Sequence, residues 1–273
     1  MASAPPPRPT HRLESIGRWL LWALAPRRPA LEHTAPPAEL APWEEISIPR
    51  GLGGTLAGTW FPATGPVRGA VLLLHPWMAA GRAYFHRRGR IEALRAAGYA
   101  ALAADFSGFG TSSPPAGFAD RDVDDALAAL AVRAPGVPLY VWGVSQGGYW
   151  AHAALARRSD VAGAMFEDVS AHLIEWSWRA APWGRPFYLL YRYALPACYH
   201  YLDMRRHAAA LRISAVTYVS GALDRAVLPE DTERFAALSG GRASIIPGAQ
   251  HLGAIKIAPD QVIALALATF GGG

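Results

Sequence analysis

Cysteine and lysine are nearly missing from this chain: Cys198 and Lys256 each stand alone among 273 residues. A single cysteine excludes an intramolecular disulfide and any cysteine-based metal cluster, and it leaves the compartment open. With one lysine, the net charge of +5 rests on 25 arginines dispersed along the chain. That dispersion, without an RNA-recognition, zinc-knuckle or helix-turn-helix pattern beside it, argues against a nucleic-acid partner. Charged residues are also sparse, at 17%, whereas 52% of the chain is hydrophobic. Such a chain buries a large core and fits one sizeable domain, or one domain carrying an insertion.

Residues 1–42 form an arm rich in Pro, Ala and Arg, in which prolines such as Pro5, Pro6, Pro7, Pro26, Pro29, Pro36 and Pro37 interrupt regular structure. Most of it is expected to be extended or disordered. One helix is predicted within it, over 12–25. At 100° per residue Leu13, Ile16, Leu20 and Leu24 share a face, with Glu14 and Arg18 as an i,i+4 pair opposite. With Trp19, Trp22 and Arg27-Arg28 this helix can make peripheral contact with a membrane surface; packing on the main domain is the equally plain alternative. Its apolar stretch is too short to span a bilayer, and Glu14 and Arg18 spoil a secretory signal. The expected location is cytoplasmic, with or without membrane association.

From residue 43 the pattern changes to alternating strands and helices. Ile46-Ser47-Ile48 and Thr55–Phe61, around the glycine-rich 50–54, predict an antiparallel hairpin. Continuous apolar runs follow at 69–75, 99–105, 139–142, 161–168 and 215–220, with a last short strand at 244–247. Between and after them, helices are predicted over 84–97, 120–131, 146–158 and 260–270. This alternation predicts an α/β fold: a mostly parallel sheet with helices on both faces and reactive groups at the carboxyl ends of the strands. Residues 171–211 break the rhythm and hold nine aromatics. An inserted helical cap is the expectation, with most of these rings tying it to the body and Trp176, Trp183 and Tyr188, together with Trp77, lining a pocket. His172, His200 and His207 in this stretch lack a partner at ligand spacing, so no metal is expected.

Gly143-Val144-Ser145-Gln146-Gly147 is a G-x-S-x-G placed between a strand and a helix. That setting lifts a serine hydroxyl clear of the backbone, and the glycines leave room for the turn. Three fixed positions match by chance about once in eight chains of this composition, so the pattern needs partners. A nucleophilic Ser145 needs a base and an acid to orient that base. Asp224 follows the strand 215–220 through Gly221-Ala222-Leu223, and His251 follows the last strand in Pro247-Gly248-Ala249-Gln250-His251. Asp168, ending its own strand beside Glu167, is an alternative acid.

With the order Ser145, Asp224, His251 and the stretch Asp105-Phe106-Ser107-Gly108-Phe109-Gly110-Thr111-Ser112, residues 45–270 resemble the α/β-hydrolase superfamily. The hairpin and cap are similar to its monoacylglycerol lipase and serine aminopeptidase-like branch. The resemblance implies an α/β-hydrolase fold, no cofactor, and an oxyanion hole made by the backbone N–H groups of Trp77 and Gln146. Here the chain departs from the family's pattern, since His75-Pro76-Trp77 stands where His-Gly is usual and Pro76 has no N–H to give. His75 reads as a group that orients this loop rather than as a base. The function expected is a serine hydrolase cleaving a carboxylic ester, or a thioester or amide, of a small apolar or lipid-like substrate. The rival readings are acyl transfer by the same three residues and a non-catalytic binding protein on the same fold. Oligomeric state is not legible.

Overall fold

The structure is a computed structural model that describes residues 4–24, 35–78, 80–115, 117–180 and 185–271. Arg27, Arg28 and Trp183 lie outside the described residues, as do the side chains of Trp22, Leu24 and Trp178.

Four apolar runs become β3 (Gly69–Leu74), β4 (Tyr99–Ala104), β5 (Leu139–Val144) and β6 (Gly163–Glu167), with every residue buried. Such runs fit strands covered on both faces. Around them lie β1 (Glu44–Pro49), β2 (Thr55–Phe61), β7 (Ala215–Gly221) and β8 (Arg242–Ile246), in the order β1-β2-β4-β3-β5-β6-β7-β8. β1 and β2 pair antiparallel to each other, as does β2 with β4; the other pairs are parallel. The strand period of two divides the core. Ala70, Leu72 and Leu74 face one layer with α3 (Asp120–Arg133) and α4 (Gln146–Leu155). Val71 and Leu73 face the other, with α2 (Arg90–Ala96) and the closing helix Pro259–Gly271.

The helix predicted over 84–97 is broken in two. A 3₁₀ turn covers Gly81–His86 and α2 begins at Arg90, because Arg88 (φ 68°) and Gly89 (φ 73°) turn left-handed between them. The segment between β6 and β7 carries α5 (Leu173–Ala180), α6 (Arg185–Leu189), a π-helical turn (Leu190–Ala194), α7 (Pro196–Tyr201) and α8 (Met204–Ala208). The Tyr149 hydroxyl on α4 donates to the Leu202 carbonyl at 2.5 Å, which ties this segment down.

α1 (His11–Leu24) packs on the body, but not with the face expected. Glu14 is buried and accepts from the Phe118 N–H (2.8 Å) and twice from Arg121 (2.9 and 3.0 Å), while Ile16 and Trp19 are exposed. The Arg18 partner predicted for Glu14 is replaced by Arg121, since the body offers a guanidinium and an unpaired main-chain donor there. Leu13 and Leu20 do pack inward, and the buried Tyr191 hydroxyl donates to the Gly17 carbonyl. Ahead of the helix, Arg8 reaches the buried Asp120, whose Oδ2 also accepts from Arg157 (2.7 Å) and the Tyr201 hydroxyl (2.6 Å).

Candidate active site

Ser145 sits between β5 and α4 at φ 48°, ψ −110°, a conformation costly for a residue with a side chain. Close packing enforces it. A Cβ on Gly147 would lie 2.0 Å from the Leu74 carbonyl oxygen, one on Gly143 2.6 Å from Gly148, and one on Gly148 2.4 Å from Val169. The Ser145 N–H donates to the Glu167 carbonyl at 2.7 Å, and the Ser145 carbonyl accepts from Tyr149 to open α4.

The acid and base loops are joined to each other before they reach the serine. Ala222 and Leu223 donate to the carbonyls of Ile246 and Ala249, and a Cβ on Gly221 would meet the Ala249 oxygen at 2.3 Å. Asp224 Oδ1 accepts from the N–H groups of Ala226 (2.8 Å) and Val227 (2.9 Å), which fixes the carboxylate. Oδ2 accepts from His251 Nδ1 at 2.8 Å, and Nε2 of the same ring lies 3.3 Å from Ser145 Oγ. With Nδ1–H held by the carboxylate, Nε2 faces the hydroxyl as an acceptor. Burial pulls the His251 pKa down, but the hydrogen bond and charge of Asp224, with the charge of Asp168, leave it above its ordinary value. Ser145, Asp224 and His251 are thus brought together from three strand ends.

The loop after β3 is braced by His75. Its Nδ1 lies 2.8 Å from the Pro76 carbonyl and its Nε2 accepts from the Phe106 N–H at 3.2 Å, so Nδ1 carries the proton. Burial lowers its pKa, which keeps the ring neutral. Trp77 packs edge-on against Phe109, with centroids 5.2 Å apart. Leu74 pairs with Gly143 and touches Gly147, so the loop bearing Trp77 and the turn bearing Gln146 leave from adjoining strand ends. Trp176 is partly buried, and Tyr188 meets the buried Tyr199 edge-on at 6.0 Å, within the helices after β6. His172 and His207 are buried among these helices, and burial pushes each pKa down to about 4.

Two residues give the site a support that the sequence does not announce. Glu167 accepts from Trp142 Nε1 at 2.5 Å and from Arg90 Nη2 at 3.4 Å, all three buried in the layer below Ser145. Arg90 falls in the middle of the stretch predicted as one helix over 84–97, and nothing local marks it as a partner of Glu167. Asp168, Asp224 and His251 place donor atoms within 4.8 Å of one another, the one such group able to share a cation among the described residues.

The sequence model for serine aminopeptidase, S33, matches residues 65–199. With the sheet order and the elbow at Ser145, this match points one way. The chain has the α/β-hydrolase fold. Its fold is similar to the Pyrococcus furiosus esterase Pf2001, with TM-score 0.72 and 19% identity over 89% of this chain and 95% of that one. It is also similar to the Exiguobacterium antarcticum esterase EaEST, with TM-score 0.62 and 16% identity over 84% and 100%. A Mycobacterium tuberculosis puromycin-hydrolyzing peptidase aligns with TM-score 0.62 and 20% identity over 89% of this chain and 41% of that one. No curated protein sequence matches the chain. Among the described residues of this α/β-hydrolase fold, no helix is long and apolar enough to cross a membrane.

Proposed function

We propose that the protein is a cofactor-independent serine hydrolase that cleaves carboxylic esters through an acyl-enzyme. The observation that carries this reading is the run of contacts from Ser145 Oγ through His251 to Asp224, with the serine on a strained turn. Ser145 attacks the ester carbonyl as His251 Nε2 takes its proton, and Asp224 holds the imidazolium that forms. The N–H groups of Trp77 and Gln146 stabilise the oxyanion, Gln146 as the first residue of α4, whose N-terminal dipole favours negative charge. His251 returns the proton to the leaving alcohol. It then activates the water that frees the acid.

Pro76 donates nothing to the hole, so its part is to hold the loop, and the half-buried indole of Trp77 narrows the mouth beside it. Trp77, Trp176 and Tyr188 favour an apolar acyl or alkyl group over a charged one. A fluorophosphonate probe tests the reading: the folded protein should label at Ser145 and hydrolyse p-nitrophenyl butyrate, and Ser145→Ala should do neither. Equal labelling of Ser145→Ala would overturn it. Peripheral membrane contact through residues 12–25 is supported by Arg12, Ile16 and Trp19, exposed on one face of α1. Trp19→Ser should then weaken partitioning onto anionic vesicles, and unchanged partitioning would end that proposal.

A further inference from the structure

Asp168 takes no part in the relay described above, yet it is aimed at it from the end of β6. Its backbone is left-handed (φ 52°), a conformation that favours glycine, and it is completely buried. Oδ2 accepts from the Leu252 N–H at 2.7 Å, and Leu252, the residue after His251, is itself left-handed at φ 57°. Pinning that loop needs one acceptor, which an amide would supply. The second oxygen, Oδ1, is buried with no hydrogen-bond partner among the described residues. A buried polar atom left so is costly unless charge nearby repays it. A carboxylate oxygen of Asp168, one of Asp224 and a ring nitrogen of His251 all lie within 4.8 Å of one another.

We propose that Asp168 is a second carboxyl serving His251, a positioning residue that fixes the base loop through Leu252 and shares with Asp224 the charge of the imidazolium formed as Ser145 attacks. The inference rests on the serine-hydrolase reading. Every group facing this pair is accounted for: Glu167 beside Asp168 on β6, Tyr84 and Arg90 from the elements after β3, Asp224 after β7 and His251 after β8. Burial, the charge of Glu167 and that of Asp224 push the Asp168 pKa up to about 7, while His251 pulls it down. The carboxyl therefore ionises most readily when the imidazole is charged, which is when a second negative charge helps.

The test uses the full chain with Asp168→Asn, which keeps an acceptor for Leu252, and Asp168→Gly, which suits the left-handed backbone and removes the carboxyl. Each is compared with wild type, Asp224→Asn and the Asp168→Asn/Asp224→Asn double variant. Two readouts are taken: the ¹⁵N NMR titration of the His251 ring, and kcat and KM for p-nitrophenyl butyrate against pH. The expected result is a lower His251 midpoint in both Asp168 variants and a kcat reduced about tenfold with KM unchanged. The double variant should lose at least about another tenfold relative to Asp224→Asn. A His251 midpoint unmoved in both Asp168 variants, or a double variant as active as Asp224→Asn, would overturn the proposal. Turnover that survives Ser145→Ala would instead refute the hydrolase reading, and the NMR midpoint would still judge Asp168.

Discussion

Acidification from pH 7 to pH 5 is expected to cost the folded protein about 4 kcal/mol, chiefly through buried histidines that fold neutral. Burial lowers the pKa of His75, and it pushes His152 down to about 3 and His172 and His207 down to about 4. Unfolded, each titrates near 6.5, so below that pH the unfolded chain takes up protons that the folded chain refuses. Stability therefore falls as pH drops through 6.5 and goes on falling until the folded values are reached. His152, His172 and His207 each contribute a loss of about 2 kcal/mol between pH 7 and pH 5, and His75 acts in the same direction. Asp168 works in the opposite sense. Raised to about 7, it holds a proton when folded that an ordinary carboxylate gives up, so its contribution is full below 3.8 and is lost as pH rises through 7. Over the same interval it returns about 2 kcal/mol, and the raised His251 acts in the same direction. The assay is urea denaturation at pH 7, 6 and 5, followed by far-UV circular dichroism. His152 stacks on Phe166 with centroids 3.9 Å apart, so His152→Phe keeps a ring in that place and deletes one titrating group. It should flatten the pH dependence by about 2 kcal/mol, whatever it costs at pH 7. A free energy that does not change between pH 7 and pH 5, or a slope indifferent to His152→Phe, would refute the reasoning.

Other expectations follow from single contacts. Gly147→Ala forces a methyl to within 2.0 Å of the Leu74 oxygen, so fluorophosphonate labelling should be abolished; a folded variant that labels at the wild-type rate contradicts the tightness of the elbow. Glu14→Ala strands the buried Phe118 N–H and frees Arg121, which is partly exposed, so a loss of about 3 kcal/mol is expected. Differential scanning calorimetry should show it as a fall of about 6 °C in Tm, and an unshifted Tm would mean that α1 is not held as described. In the ester assay the acid limb of kcat/KM should lie above 6.5, because His251 must be neutral to act and its pKa is raised. A limb below 6.5 would count against the Asp224 contact as the controlling one.

Much of the architecture was legible because burial on two faces leaves a plain mark. Val71-Leu72-Leu73-Leu74 and Ala101-Leu102-Ala103-Ala104 have no polar residue to place, so only interior strands suit them. The elbow and its two partner loops were legible for a related reason: Gly143, Gly147 and Gly221 stand where backbone meets backbone. Elsewhere the deciding partner lies far along the chain. Nothing in the period of residues 12–25 says that Arg121 and the Phe118 N–H await Glu14, and so the shared apolar face is split, with Leu13 and Leu20 inward and Ile16 exposed. The break before α2 had a signal in Gly89 that the apolar spacing of 84–97 outweighed. The bracing of Glu167 by Arg90 and Trp142 crosses three elements and leaves no local pattern.

The Oδ2 atom of Asp120 gathers Arg8 from before α1, Arg157 from beyond the end of α4 and Tyr201 from α7, on a residue that opens α3. Four distant parts of the chain thus share one buried charge, and the departure of any one leaves that charge with fewer partners. Opening of the N-terminal arm is therefore not a local fraying event. Under native conditions the arm, α4 and the helices after β6 should exchange their amide hydrogens at a common rate, as one cooperative unit. A protease should likewise find residues 8–24 only in molecules whose helices after β6 have already come loose, so that trimming of the arm and loosening of those helices run on the same clock.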